Sequence, residues 1–319
     1  MKEYSRTVLK EMFDGQRVSP MLPYTSLADN AEVAGLIAQG NGRISLSGVQ
    51  PKYAMVVDKG VLRLAGEGER GTHILKPAPT ATFILDRAYC PANEHLTMQM
   101  ARQVYGIETA ASALCYFQDG TAAYVTRRFD FDGAGGKYAQ EDFAQLAGIN
   151  RDNGGANYKY DLLSYEECGD LIRRYVKAAP VELLKFFRLV VFNYLVLNDD
   201  AHLKNFSLLE RRPGDYLLSP AYDLMNTTLH LSTTGIFALQ KGLFREGTPI
   251  DDTHSIGWDS FVEFGRRLGL SERIVDKEMA RFAADNPLAA TLIEESSLSE
   301  SLKRHYLQSY QYRRHTLEQ

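Results

Sequence analysis

The sequence predicts an α+β fold in two lobes, with a β-rich N-terminal lobe over residues 1–130 and an α-helical C-terminal lobe over residues 131–319. Three observations favour this fold class. Short segments with two-residue alternation and tight-turn signals fill most of residues 43–129. Beyond residue 140 the apolar residues instead follow helical spacing. At 319 residues the chain is long enough to bury a core in each lobe, so we expect a cleft between the two lobes.

The N-terminal elements are predicted from periodicity and from turn residues. The dipeptides Lys59-Gly60 and Asp119-Gly120 are hairpin signals, and Gly106 is expected to end a helix. The predicted strands span 43–47, 53–57, 61–65, 73–76, 113–117 and 122–129, and the predicted helices span 7–13, 27–37 and 91–105. Residues 43–76 therefore form the start of a small antiparallel sheet.

The C-terminal lobe is predicted to be mostly helical. Pro213-Gly214 marks a turn, so we expect one short hairpin there, formed by residues 206–209 and 216–218. The predicted helices span 140–146, 165–178, 182–197, 258–268, 271–285 and 290–311.

Composition excludes several classes of protein. A net charge of −4 and a pI near 6.0 argue against a dedicated nucleic-acid binder, which is normally basic. The three cysteines are scattered without a CxxC pair, as in a reducing compartment. No apolar segment follows Met1 as in a signal peptide, and the longest apolar run, 189–197, is too short to span a bilayer. We expect a cytoplasmic protein that does not contact a membrane.

A polar loop after a buried segment is the main candidate for a functional site. The almost wholly apolar run that begins at Val191 leads directly into six polar residues within eight positions. A buried scaffold that presents polar side chains is how catalytic groups are usually held. The six residues are Asn198, Asp199, Asp200, His202, Lys204 and Asn205.

The chemistry of this loop favours phosphoryl transfer from ATP. That reaction needs a carboxylate that orients the attacking hydroxyl and accepts its proton, and hard oxygen ligands for Mg²⁺. Asp200 supplies the proton-accepting carboxylate, while Asn205 and Asp223 supply an amide and a second carboxylate as metal ligands. Lys204 could neutralise the transferred phosphate. The alternative is an ordinary turn, because Asn and Asp are common in turns and helix caps.

His202 raises the question of a zinc site. No HxH or HxxxH pairing accompanies it, so a zinc site is weakly supported. We expect His202 instead to form hydrogen bonds that hold Asp200 in place.

Lys76 is the second candidate, at the end of a predicted strand. A lysine on such a strand can bind the α- and β-phosphates of ATP, and Glu94 in the next helix could pair with it. The alternative is a plain surface charge. The segment from Ser45 to Lys52 is a candidate phosphate-covering loop, but it has one glycine and matches neither GxGxxG nor a P-loop, so spacing alone favours a hairpin.

Seven motifs occur in the order seen in HipA-like serine/threonine kinases, the toxins of bacterial HipBA-type toxin–antitoxin systems. The chain resembles that family over about residues 40–310. The motifs are Ile44-Ser-Leu-Ser-Gly-Val-Gln-Pro-Lys52, His73-Ile-Leu-Lys-Pro77, Asn93-Glu94, Arg128-Phe-Asp130, Gln140-Glu-Asp-Phe143, Asn198-Asp-Asp-Ala-His-Leu-Lys-Asn205 and Ser219-Pro-Ala-Tyr-Asp-Leu224. The resemblance implies a bilobed protein-kinase-like fold and use of ATP and Mg²⁺.

The resemblance also implies roles for individual residues. Asp200 matches the catalytic aspartate, with Lys204 and His202 beside it, and Lys76 matches the lysine that binds the ATP phosphates. Asn205 and Asp223 match the metal-binding pair. Arg127, Arg128 and Phe129 match the hinge strand whose backbone holds the adenine. The other residues expected at the nucleotide are Asp130, Glu94, Ser47 and Gly48. Ser45 or Ser47 matches the serine whose autophosphorylation switches the kinase off, and Ser45 is the better positional match.

Partners follow from the same resemblance. The expected substrate is an aminoacyl-tRNA synthetase, and the expected inhibitor is a HipB-like antitoxin through which DNA is contacted only indirectly. Little sequence precedes the kinase motifs, which resembles the shorter HipT-like members, where an N-terminal subdomain is a separate small protein. Two alternatives remain open: a small-molecule kinase with the same site, and a catalytically dead corepressor or binding module.

Overall fold

A computed structural model describes residues 3–25, 50–131, 136–232, 235–249 and 256–318. The predicted helix at 27–37 and the predicted strand at 43–47 lie outside the described residues. Within them, a β-rich N-terminal part is followed by a mostly helical part, which confirms the predicted α+β class.

The N-terminal part is built on a five-stranded antiparallel sheet with the order β2-β1-β3-β5-β4. The predicted hairpin between β1 and β2 is present, and both turn residues, Lys59 and Gly60, have positive φ, as a two-residue hairpin turn requires. The strands are β1 (Tyr53–Asp58), β2 (Val61–Leu64), β3 (His73–Pro77), β4 (Ser112–Tyr116) and β5 (Ala122–Arg127).

One helix covers a face of this sheet. Helix α1 (Arg6–Phe13) is capped by the Ser5 hydroxyl and buries Met12 and Phe13. These side chains form a small core with apolar residues of the strands, among them Leu75 and Val125. The first predicted helix is thereby confirmed.

The predicted helix at 91–105 is present but irregular. Helix α2 (Cys90–Gln99) runs into a π-helical turn, Met100–Val104, and Gly106, at φ +56°, follows where the helix ends. Leu96 and Met100 of this helix belong to the large core of the C-terminal part rather than to the small sheet core. Helix α2 therefore lies between the two cores.

The C-terminal part consists of helices around one large core. Four-residue turns of helix, α3 (Phe143–Leu146), α4 (Arg151–Gly154) and α5 (Tyr158–Asp161), precede the long helices. The long helices are α6 (Tyr165–Tyr175), α7 (Ala179–Leu195), α8 (Trp258–Arg267), α9 (Glu272–Ala283), α10 (Pro287–Glu295) and α11 (Glu300–His315). None of the helices in the described ranges combines the length and apolar character needed to cross a bilayer.

Two of the predicted helices were wrong in part. The prediction of one helix over 290–311 is wrong because two helices occupy this region. Helix α10 ends at Glu295, and α11 begins at Glu300, where the Ser299 hydroxyl caps it by accepting a hydrogen bond from the Leu302 N–H at 3.3 Å. The prediction of a helix over 140–146 fails at its start. There, β6 (Ala139–Asp142) joins a second antiparallel sheet, with β7 (Ser207–Arg212) and β8 (Asp215–Leu218). Pairing with β7 prevails over local helix propensity.

Candidate active site

The polar loop begins where buried helix α7 ends. Leu197 adopts a positive φ of 52°, which turns the chain out of the helix. The Asn198 side chain then donates to Asn193 Oδ1 at 2.9 Å, and the Asn198 backbone N–H donates to the Asn193 carbonyl at 2.9 Å. This pair of bonds ties the loop to the last turn of the helix. Asp200 and His202 are buried, at 8% and 3% exposure.

Asp200 is held by a tyrosine from another element. The Tyr160 hydroxyl of α5 donates to Asp200 Oδ1 at 2.8 Å. His202, which we expected to hold Asp200, approaches the same oxygen only to 4.0 Å. Instead, His202 Nε2 lies 2.9 Å from the Lys159 ammonium. Burial, and then the charge of Lys159, keeps the pKa of His202 well below its usual range, so the imidazole is neutral.

Lys76 is buried and paired with two acids. Its ammonium, on β3, donates to Glu94 Oε1 of α2 at 2.5 Å and also pairs with Asp223. Burial alone would lower the pKa of Lys76, but the charges of Asp223 and Glu94 outweigh it and raise that pKa. Burial raises the pKa of Glu94 despite the lysine. Lys76 is therefore charged and is not the surface residue of the alternative interpretation.

Asp223 receives a second lysine. Its backbone has a positive φ of 56°, and its Oδ2 lies 3.2 Å from the Lys52 ammonium. Burial would raise the pKa of Asp223, but Lys52 and Lys76 lower it well below the usual range. Together Lys76, Glu94, Asp200 and Asp223 line one cleft, which brings together residues distant in sequence.

Two of the predicted loop residues have other neighbours. Lys204 extends to Asp142 Oδ2 at 2.8 Å, on the side of β6. Asn205 is buried, and its Oδ1 accepts the His202 backbone N–H at 3.2 Å. Among the described residues, neither belongs to the lining of the cleft that holds Lys76.

The hinge residues line a separate pocket. The Arg127 guanidinium pairs with Asp14, and Arg128 pairs with Asp130, so both side chains are occupied by protein contacts. Arg127, Arg128 and Phe129 line this pocket. Because both guanidinium groups are paired, the backbone of the hinge is the part that could bind an adenine ring.

The metal-ligand prediction can be checked against the donor atoms. No group of three or more His, Cys, Asp and Glu side chains suited to a metal occurs within the described ranges. A Mg²⁺ ion bound to nucleotide needs fewer protein ligands, because phosphate and water oxygens complete its shell. Asp223 is ionised, and two ammonium groups lie at its carboxylate. A divalent cation could take their place there while the lysines bind phosphate oxygens, so the chemistry of Asp223 fits the ion.

Some functional candidates fall outside the structure or were missed. Ser45, Ser47 and Gly48 lie outside the described residues. Lys52 was not predicted as a site residue, although it closes the Ser-Gly-Val-Gln-Pro-Lys motif that drew attention to the segment. Tyr160 and Lys159 were missed because nothing in their local sequence distinguishes them from a surface turn of helix.

Comparison with known proteins identifies the family. Residues 44–289 match the model of the HipA-like C-terminal domain. A Haemophilus influenzae protein named "Putative kinase" is 26% identical over 293 residues, which is 86% of this chain and 81% of that protein. The Sinorhizobium fredii protein "Putative kinase Y4mE" is 31% identical over 241 residues, which is 72% of this chain and 52% of the relative.

Solved structures share the fold. HipA of Shewanella oneidensis MR-1, solved in a toxin–antitoxin complex with HipB and operator DNA, has a TM-score of 0.68 and 23% identity, over 88% of this chain and 66% of HipA. The Helicobacter pylori proinflammatory kinase CtkA has a TM-score of 0.53 and 12% identity, over 88% of this chain and 91% of CtkA. This chain thus spans about half of Y4mE and about two thirds of HipA. The predicted bilobed kinase-like fold is confirmed, and the chain belongs to the family of HipA-like kinases defined by the HipA-like C-terminal domain.

Proposed function

We propose that this protein is an ATP- and Mg²⁺-dependent serine/threonine protein kinase that acts as the toxin of a toxin–antitoxin system. The observation that carries the proposal is the buried lysine Lys76, held between Glu94 and Asp223 in a cleft that also contains Asp200. A charged lysine in a buried position is costly unless its charge is used or paired. Phosphates of ATP are the ligand class that such a lysine serves in kinases.

Asp200 is proposed as the base that accepts the proton of the attacking hydroxyl. The hydrogen bond from Tyr160 engages one carboxylate oxygen of Asp200. Lys76 binds the nucleotide phosphates, and the backbone of Arg127–Phe129 binds the adenine. Lys204 and His202 support the loop. Asp130 orients Arg128, and Glu94 orients Lys76.

Asp223 and Asn205 are proposed to hold the metal. The ion would neutralise charge on the transferred phosphoryl group. In the structure the ammonium groups of Lys52 and Lys76 lie at the Asp223 carboxylate. When a metal ion is bound to Asp223, the two lysines would instead pair with phosphate oxygens of the nucleotide.

Regulation is proposed to use the segment with Ser45, Ser47 and Gly48. A phosphoserine there would add nearly two negative charges, which would repel the phosphates of a bound nucleotide and switch the kinase off. Lys52 ends the same motif, Ser47-Gly-Val-Gln-Pro-Lys52, and its contact with Asp223 joins this segment to the cleft.

The proposed substrate is an aminoacyl-tRNA synthetase, whose inactivation would stop translation. The HipB chain and operator DNA in the Shewanella oneidensis complex support a HipB-like antitoxin as partner, with DNA reached through that antitoxin.

A labelling experiment tests the proposal. Purified protein is incubated with γ-labelled Mg-ATP and a cell lysate, next to the Asp200→Gln variant. We expect label in a synthetase band and in the protein itself, both lost in the variant. Label in a metabolite would favour the small-molecule kinase. Identical, label-free results for both proteins, with growth arrest that survives the substitution, would favour the binding module.

A further inference from the structure

The one-turn helix α5 sends two consecutive side chains to the polar loop. Tyr160 is 1% exposed, and its hydroxyl donates to Asp200 Oδ1 at 2.8 Å. Its ring meets the His202 ring edge-on, with centroids 5.1 Å apart. The Lys159 ammonium lies 2.9 Å from His202 Nε2 and 5.0 Å from the centre of the Tyr160 ring. These two residues therefore contact both ionisable groups at the centre of the loop.

The hydrogen bond from Tyr160 has a direct consequence for a base. A phenol donates one proton, so it engages Oδ1 and holds the carboxylate plane of Asp200 in one orientation. A base whose orientation is fixed in advance needs no reordering when the hydroxyl of a substrate arrives. The hydrogen bond also favours the ionised carboxylate, which is the form that accepts a proton.

Lys159 gives the α5 turn a second contact with the loop. Its Nζ lies 2.9 Å from His202 Nε2, an atom that itself lies 4.0 Å from Asp200 Oδ1. The turn that carries Tyr160 is therefore attached to the loop at two neighbouring points.

We propose that Tyr160 is a positioning residue for phosphoryl transfer: its hydroxyl orients the Asp200 carboxylate, and the contact of Lys159 with His202 attaches the same helix turn to the loop. This inference rests on the proposed function, because it assigns Asp200 as the base. It adds contacts from helix α5 to the polar loop, which the sequence of the loop itself does not predict.

The Tyr160→Phe variant is the first test, with Tyr165→Phe as the matched control. Both tyrosines are 1% exposed and both hydroxyls reach the polar loop, but Tyr165 donates to the Ala201 carbonyl at 3.0 Å rather than to Asp200. Both variants lose one buried hydrogen bond, so similar losses of stability are expected. For Tyr160→Phe we expect kcat to fall about tenfold or more while KM for ATP stays within about twofold, because a misoriented base weakens the chemical step and not nucleotide binding. For Tyr165→Phe we expect kcat within about threefold of wild type.

The pH dependence separates positioning from a structural effect. In Tyr160→Phe the acidic limb of the pH–kcat profile should move to higher pH, since the ionised carboxylate has lost a donor. In Tyr165→Phe it should stay in place. Equal losses of kcat in the two variants, or an unmoved profile in Tyr160→Phe, would overturn the role of Tyr160.

A wild-type protein that transfers no phosphate would refute the proposed function instead. Phosphate transfer by wild type, together with an unchanged kcat in Tyr160→Phe, would overturn only the role of Tyr160 and leave the proposed function standing.

Discussion

The buried ion pairs of Lys76 make a prediction about stability. Lys76→Met removes the ammonium but keeps most of the side-chain volume, so Glu94 and Asp223 lose a partner inside the protein. Removing one member of a buried pair costs about 3–5 kcal/mol of unfolding free energy. Lys52 still lies 3.2 Å from Asp223, so we expect a loss near the lower end, about 3 kcal/mol.

The loss should depend on pH, with a definite sign. Burial already raises the pKa of Glu94, and without Lys76 the main charge that opposes that rise is gone. A carboxyl group whose folded pKa exceeds its unfolded value contributes stability that is present below the unfolded pKa and lost as pH rises through the folded pKa. The deficit of the variant relative to wild type should therefore grow from pH 5 to pH 8.

Urea unfolding at pH 5, 6.5 and 8 measures the difference in unfolding free energy between Lys76→Met and wild type. Equal m-values for the two proteins check that both unfold in two states. Adding Glu94→Gln to Lys76→Met removes one unpaired charge and should restore about 1 kcal/mol or more at pH 8. Lys303→Met is the control, because its partner Glu300, 2.8 Å away, is 73% exposed and stays solvated without the lysine, so this variant should lose little stability. A loss below about 1 kcal/mol for Lys76→Met, or the same loss at pH 5 and pH 8, would show that Glu94 and Asp223 do not depend on Lys76 as their buried partner.

Three further predictions concern the scaffold. In Gly169→Ala the new Cβ would lie 2.4 Å from Leu268 Cδ2, so we expect a loss of about 1–3 kcal/mol in thermal unfolding, against almost none for Gly66→Ala, where the nearest atom is Glu69 Oε2 at 3.5 Å. Asp142→Ala removes the acceptor of the Gln145 N–H at 2.9 Å and should cost about 0.5–2 kcal/mol in urea, and a cost near zero would contradict the cap. Burial lowers the pKa of four histidines, so the unfolded state binds more protons below their unfolded pKa near 6.5, and stability should fall by up to about 5 kcal/mol per pH unit as pH drops from 6.5 toward 5. A flat unfolding free energy across that window would contradict this. The four are His73, His95, His202 and His230.

Much of the fold could be predicted because its signals are local. The hairpin at Lys59-Gly60 and the capped helices follow from neighbouring residues alone. Strand β6 could not be predicted in this way, because its partner β7 lies more than sixty residues further along the chain, as in the pairing of Gln140 with Leu209. Long-range pairing is not visible in a local periodicity.

In the candidate site, too, local patterns could be predicted from the sequence and long-range contacts could not. Lys76 and Glu94 could be proposed as a pair because a strand-end lysine followed by a helical acid is a recurring pattern. Tyr160 could not be connected to Asp200, since only the packing of the α5 turn against the loop brings the two together. The roles of Ser45 and Ser47 stay predictions.

The proposed role of Asp200 is that of the base in a phosphoryl transfer to protein. It can be tested by single-turnover transfer from γ-labelled Mg-ATP to protein, measured for wild type and Asp200→Asn alongside equilibrium ATP binding. We expect wild type to label protein, and Asp200→Asn to bind ATP within about threefold of wild type but to transfer phosphate at least about a hundredfold more slowly. Equal transfer rates for the two proteins, or ATP binding by wild type without any transfer to protein, would show that Asp200 is not this base.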